Sequence, residues 1–385
     1  MKKVFIITVQ KAPNFGAYLQ AYALFQHLQS NGFCCKIIDL LRPVHKKFKK
    51  TKGFDVYYKI PIKIRLREIL RKEYHAFLRF IGYKQSRFRE IEVAKQRFEE
   101  FDRQILYTPT YESIAQLYKN PPVGDYYITG SDQLWNPTQN YCLEPFFLTF
   151  VKNGGIKVSY ATSIGISELP DSVKLDFSRW LKSYDYISVR EREAVNLITP
   201  LVKQPVHQVC DPTFLISPKD WKHLSVKEKD FGDYIFVFTL SPMPEVIDFA
   251  LSINKNLGYK IVVFGHSVKE PKSNLYETIY SLGPREWLGM IENAKIVITN
   301  SFHGTVFSLL FHTPFLTYIA PNNKRGSRII NLLDTFGMQN RLIKSLNTDV
   351  WIDKTTLLSL NSKHIDEVLE KEKNIGINFL NMALS

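Results

Sequence analysis

Three segments of the 385-residue sequence combine polar or titratable side chains with glycine at spacings suited to an anionic or hydroxylated ligand. In Thr299-Asn-Ser-Phe-His-Gly-Thr305 an apolar run ends and a helical pattern begins, and at such a junction unpaired backbone N–H groups and the helix dipole attract an anion. His303 stands there, where anion binding and proton transfer are both open to an imidazole, with Ser301, Gly304 and Thr305 in the same turn. A satisfied structural histidine is the competing reading. Thr129-Gly-Ser-Asp-Gln-Leu-Trp-Asn136 gathers Ser131, Asp132, Gln133 and Asn136 around Trp135, whose ring suits stacking on a sugar face. Asp132 reads either as a base that orients an acceptor hydroxyl or as a helix cap. In Lys11-Ala-Pro-Asn-Phe-Gly16, Asn14 is a cap and Gly16 permits close approach, as part of an acceptor site or of a plain turn. The spacing is not GxGxxG, so no dinucleotide fingerprint is present.

Positive charge comes from arginines that also follow apolar runs. Arg190 comes after Tyr186–Val189, and Arg325 and Arg328 lie in Lys324-Arg-Gly-Ser-Arg328 after Phe315–Ile319. Placed at a helix start they oppose the dipole, which favours a role in gripping carboxylate or phosphate over simple solvation. The sequence has no HxxxH, DxD or acidic cluster, so metal-independent chemistry without a cofactor is expected. The four cysteines form no CxxC pair, which fits neither a zinc site nor a disulfide framework and points to a reducing cytoplasm.

The elements needed to position these loops alternate between strand and helix. Apolar runs at Val4–Val9, Cys35–Asp39, Tyr126–Thr129, Val158–Ala161, Tyr186–Val189 and Val206–Val209 read as strands, with helices at Ala17–Ser30, 171–182 and 190–198. A second set follows Asp211-Pro212 and the polar stretch Ser225–Asp233. Its strands are Tyr234–Thr239, Lys260–Phe264, Ile296–Thr299 and Phe315–Ile319, and its helices 244–256, 285–293, 303–311 and 326–335. The expected architecture is α/β, with two doubly wound Rossmann-like domains facing a cleft. The expected units are residues 1–224 with a basic helical insert at 42–103, residues 225–361, and a C-terminal helix from 362 to 385.

Composition removes other classes. At 45% hydrophobic and 23% charged residues the chain is neither disordered nor membrane-spanning by pattern, since no apolar run approaches the roughly 18 residues a span requires. Residues 42–90 hold 16 Lys and Arg against four acids, a net +12 of the chain's +14. Within 60–82 an apolar stripe (Ile62, Leu66, Ile69, Leu70) runs beside Lys63, Arg67 and Arg71, reading either as a surface helix or as a contact with an anionic membrane face. Nucleic acid ranks last, because base-reading modules are absent.

Taken together, Asn14-Phe-Gly-Ala-Tyr-Leu-Gln-Ala-Tyr-Ala23, Gly130-Ser-Asp-Gln-Leu-Trp-Asn136, Tyr160-Ala-Thr-Ser-Ile-Gly165, Ile187-Ser-Val-Arg-Glu191, Asp211-Pro212 and Asn300-Ser-Phe-His-Gly-Thr305 resemble the polysaccharide pyruvyl transferases. The resemblance implies a GT-B-like two-domain glycosyltransferase architecture and transfer of the enolpyruvyl unit of phosphoenolpyruvate onto a sugar as a cyclic ketal. It implies a lipid-linked or soluble glycan as acceptor, and a cytoplasmic enzyme, peripheral to the inner membrane face if the basic segment binds there. His303 matches the family's donor-site histidine and Arg190 its donor-side arginine. Several members carry Arg-Leu-His where this chain has Ser301-Phe302-His303, so Arg328 or Arg325 is expected to replace a missing phosphate grip. The competing reading is a glycosyltransferase of the same architecture using a nucleotide sugar, whose anionic donor the same helix terminus would serve.

Overall fold

The computed structural model describes the chain apart from residues 12–13, 44, 46, 50–84, 140–141, 153, 268–273, 322–325 and 347–352. The basic stripe at 60–82 and Arg325 therefore lie outside the described residues.

The first sheet contains β1 (Lys3–Ile7), β2 (Cys34–Ile37), β3 (Tyr126–Thr129), β4 (Ile156–Thr162), β5 (Tyr186–Val189) and β6 (Val206–Gln208), all parallel, in the order β2-β1-β3-β4-β5-β6. Its helices are α1 (Phe15–Ser30), α2 (Gln85–Asp102), α3 (Ile114–Lys119), α4 (Asp171–Leu181), α5 (Arg192–Ile198) and α6 (Pro218–Leu224). The second sheet contains β7 (Tyr234–Phe238), β8 (Lys260–Phe264), β9 (Glu277–Ile279), β10 (Ile296–Thr299), β11 (Phe315–Tyr318) and β12 (Leu342–Ile343), again all parallel, in the order β12-β11-β10-β7-β8-β9. Around it stand α7 (Pro244–Asn254), α8 (Pro284–Glu292), α9 (Phe302–Phe311), α10 (Ser327–Thr335), α11 (Lys354–Leu358) and α12 (Ser362–Ala383).

Central strands such as β3 (YYIT) and β10 (IVIT) are buried at every position, as parallel strands covered by helices on both faces must be. The short edge strands β9 and β12, three and two residues long, give no periodic signal and are absent from the sequence reading. Strand order reverses between β1 and β3 in one sheet and between β7 and β10 in the other. In such sheets the crevice at the carboxyl ends of these neighbours is where a ligand settles.

What presses the two crevices together is apolar. Phe15, at the start of α1, stacks on Trp287 of α8 with centroids 5.2 Å apart, and its edge meets Phe238 and Phe264 at the ends of β7 and β8. On one flank α2 clamps onto the second unit, with Arg97 pairing with Glu228 at 2.5 Å and donating to the Ser281 carbonyl at 2.9 Å. The C-terminal α12 runs back across both units. Ile365 and Leu369 pack into the core that includes α8 and α9, while Phe379 and Leu380 join that of β4. Gly376 lies so close to Tyr160 that a Cβ would stand 2.4 Å from its hydroxyl.

Candidate active site between the two crevices

The loops after β1 and β10 meet directly. Ser301 caps α9 by accepting from the Gly304 N–H at 3.2 Å, which starts the helix one residue before His303 and leaves further first-turn N–H groups outside the helical ladder. Across the cleft Asn14 caps α1 by accepting from Ala17 N–H at 3.2 Å. Gly16, in the first turn of α1, abuts the His303 imidazole, and a Cβ on it would lie 2.0 Å from Nδ1. Two helix N-termini thus converge on one imidazole, an arrangement that favours negative charge between them. The glycine is demanded by the neighbouring ring. Gly16→Ala is therefore expected to push the imidazole out of place, lowering activity tenfold or more while the melting temperature moves only a few degrees, a split that steady-state kinetics and calorimetry would check.

His303 is 8% exposed, and its Nε2 stands 3.4 Å from Asp211 Oδ2, within ionic reach but without the alignment of a hydrogen bond. Asp211 follows β6 and is fully buried. Its Oδ2 accepts from Arg190 Nη1 at 2.6 Å and from Ser131 Oγ at 3.3 Å, and its Oδ1 accepts from the Thr213 N–H and hydroxyl. Burial alone would raise this carboxyl's pKa, but His303, Arg190 and the Thr213 N–H outweigh it and hold the group well below the usual carboxylate range.

Arg190, at the end of β5, is 6% exposed. One Nη serves Asp211 and Ser131, and the guanidinium lies over the Phe302 ring at 4.3 Å, while Nε and Nη2 are buried with no partner among the described residues. Two unpaired donors on a buried guanidinium are costly unless something else accepts from them. Arg328, in the first turn of α10, faces the same Phe302 ring at 5.8 Å. The Gln133 amide is wedged between the Arg328 guanidinium and the Asn136 side chain.

The loop expected to bind acceptor and the arginines expected to bind donor thus converge. Ser131 belongs to the Arg190–Asp211 pair, and Gln133 to Arg328. Asp132 is half-buried and holds a left-handed φ of 75° while its Oδ1 accepts from the Gln133 N–H at 2.8 Å, so it braces the loop locally. Strain of this kind clusters at functional sites. Trp135 is a correction: it is fully buried, stacks on Phe147 at 5.4 Å and donates Nε1 to the Phe146 carbonyl, leaving no face for a sugar. Asn136 is likewise buried, its Oδ1 accepting from the Thr138 N–H and hydroxyl. Gly304 and Thr305 act through packing, with Thr305 bonded to the Ser301 carbonyl and to Thr317.

Two carboxylates at this site are given no site role by the sequence. Asp211 reads there as the end of a domain, because nothing local says that two cations face it. Glu191, adjacent to Arg190, is buried and accepts from Ser163 Oγ, Ile164 N–H and Gly165 N–H at 3.0, 2.8 and 2.7 Å, fixing the turn after β4. Among the described residues no group of three or more His, Cys, Asp and Glu is placed to hold a metal ion, and no helix is long and apolar enough to cross a membrane.

Of solved structures, UDP-N-acetylglucosamine 2-epimerase from Rickettsia bellii is similar over 99% of this chain and 98% of that one, with TM-score 0.49 and 10% identity. The glycosyltransferase SnogD from Streptomyces nogalater is similar over 98% and 96%, with TM-score 0.43 and 10% identity. UGT89C1 from Arabidopsis thaliana, complexed with quercetin, is similar over 100% and 94%, with TM-score 0.45 and 10% identity. No curated protein matches the chain. The family described as polysaccharide pyruvyl transferase matches residues 14–323, a span that opens on the Asn14 cap, takes in Arg190, Asp211 and His303, and ends five residues before Arg328. With most of its length and the Arg190, Asp211 and His303 group inside the match, this chain belongs to the polysaccharide pyruvyl transferase family and is a transferase.

Proposed function

We propose that the protein moves the enolpyruvyl group of phosphoenolpyruvate onto a hexose of a bacterial capsular or exopolysaccharide repeat unit, lipid-linked at the time of reaction, forming a cyclic ketal and releasing phosphate. The observation that carries this reading is Arg190, beside His303 and two helix N-termini, whose buried Nε and Nη2 have no partner among the described residues. A small ligand bearing both carboxylate and phosphate supplies the acceptors that these donors lack.

In this reading a proton is delivered to the methylene carbon of phosphoenolpyruvate, giving a methyl group and an oxocarbenium-like carbon that one sugar hydroxyl attacks. A second hydroxyl attacks the same carbon as the C–O bond to phosphate breaks. The two hydroxyls give up two protons, one replacing that spent on the methylene and one leaving with phosphate. His303 is the titratable group that both faces the anion site and has a carboxylate behind it, so we assign it the proton transfer, with Asp211 as positioning residue. Arg190 and Arg328 hold the donor, and the α9 N-terminus meets charge that builds on the departing phosphate. Asp132 orients an acceptor hydroxyl. The charge of residues 60–82 supports contact with an anionic membrane face.

The deciding experiment incubates the protein with phosphoenolpyruvate or a nucleotide sugar and a panel of lipid-linked galactosides, mannosides and glucosamines. Phosphate release tied to a new acid-labile ketal supports the proposal, and nucleotide release without it supports a glycosyltransferase. Arg328→Ala is expected to raise the KM for phosphoenolpyruvate by an amount equivalent to about 1.5–3 kcal/mol, with a smaller change in kcat. An unchanged KM would remove Arg328 from the donor site.

A further inference from the structure

Beyond Asn14 and Phe15 the cleft continues away from His303 as a groove of about 510 Å³, walled by α1 and α2 on one side and by the ends of β7, β8 and β9 on the other. It adjoins the described site at two points. Phe15 precedes the Gly16 that touches His303, and Leu240 donates its N–H to Asn300 Oδ1 at 2.9 Å, in the turn that carries His303.

The groove changes character along its length. Nearest His303 stand Asn14 and Thr239; one and two strands farther along the sheet come Phe264 and Tyr280, on the order of 10–14 Å from the end of β10 at the usual strand spacing. Its mouth is rimmed by Ile91 of α2 and Leu240 after β7, at 43% and 57% exposure, unusual for large apolar side chains that line a cleft. Its two lysines are committed elsewhere, Lys11 to Asp39 at 2.8 Å and Lys95 to Glu92 at 3.2 Å. The turn after β7, Leu240-Ser-Pro-Met243, has no glycine, and α7 opens on Pro244 with no side-chain cap, so a dinucleotide-type phosphate grip is missing. The far half of the groove suits an uncharged apolar group joined to something polar near Asn14.

We propose that this groove binds the apolar aglycone of the acceptor, a hydrocarbon or aryl group attached through the anomeric oxygen of the sugar, with the sugar itself at Asn14 beside His303. The assignment rests on the pyruvyl-transfer reading for the identity of the sugar end, but the groove can be tested without turnover. Binding of methyl and n-octyl glycosides of galactose, mannose and glucosamine, below the micellar concentration, is measured by calorimetry and ligand-observed NMR on the full chain. The octyl glycoside of at least one sugar should bind tenfold or more tighter than its methyl counterpart, through contact with apolar surface. The paired substitution Ile91→Glu with Leu240→Glu, at exposed positions, should collapse that ratio to near unity with the melting temperature retained. Equal binding of octyl and methyl glycosides, survival of the preference in the paired variant, or displacement of the octyl glycoside by a nucleoside diphosphate would each overturn the assignment. Phosphate release from phosphoenolpyruvate is scored separately: a chain-length preference without phosphate release leaves the groove standing and removes the transfer reading, and phosphate release without the preference does the reverse.

Discussion

Replacing His303 with alanine is expected to lower the transfer rate roughly 10²–10⁴-fold, the range that a positioned acid–base group contributes. The loss should fall on kcat, because the proposed donor grip of Arg190 and Arg328 is untouched by the substitution. Folding should survive. The variant leaves Asp211 paired with Arg190 and with the Thr213 N–H, so no buried charge is stranded, and the vacated volume faces the cleft at Gly16. Phosphate release and a thermal melt on the same sample check both halves. Near-normal turnover in a folded His303→Ala protein would take the histidine out of the mechanism.

Replacing Asp211 with alanine is expected to have the largest effect on stability, about 3–5 kcal/mol, because it leaves the buried Arg190 guanidinium without its counter-charge. Asp211→Asn keeps the volume and the oxygen that accepts from Thr213, so it isolates the lost charge, and it should also lower kcat more than it raises KM, because Asp211 stands behind His303. The direction with pH follows from the depressed carboxyl pKa. A carboxyl lowered by folding contributes in full above its unfolded value, about 4, and loses that contribution only as pH falls through the folded value. The stability gap between the natural protein and Asp211→Asn should thus stay flat from about pH 5 to 8 and narrow only in strong acid. A gap that widened on acidification would show that the carboxyl is not held in its charged form. The same pairing bears on Arg190→Ala, which is expected to weaken donor binding. With Asp211 buried behind it, that variant should lose stability as well.

The sequence by itself determined the two doubly wound units and the loops that matter. Strand runs such as Tyr126–Thr129 and Ile296–Thr299 are too apolar and too short for any other role, and glycines and caps at their ends mark the strand-to-helix turns. Periodicity and capping are local properties, so His303, Arg190, Gly16 and the Gly130–Asn136 loop could be picked out from spacing. What these residues face is not local. Trp135 has the composition of a sugar platform, but Phe147 and the Phe146 carbonyl, more than ten residues away, enclose it. Asp211 looks like the end of a domain until the order of β5 and β6 sets it beside Arg190 and the meeting of the two sheets brings His303 to within 3.4 Å. Gly16 reads as a turn residue, whereas its requirement comes from an imidazole 287 positions later in the chain. Side-chain type and the adjacent residues decide which element forms. Only packing across the cleft decides which charges are paired, which ring is covered and which donors on Arg190 are left for a ligand.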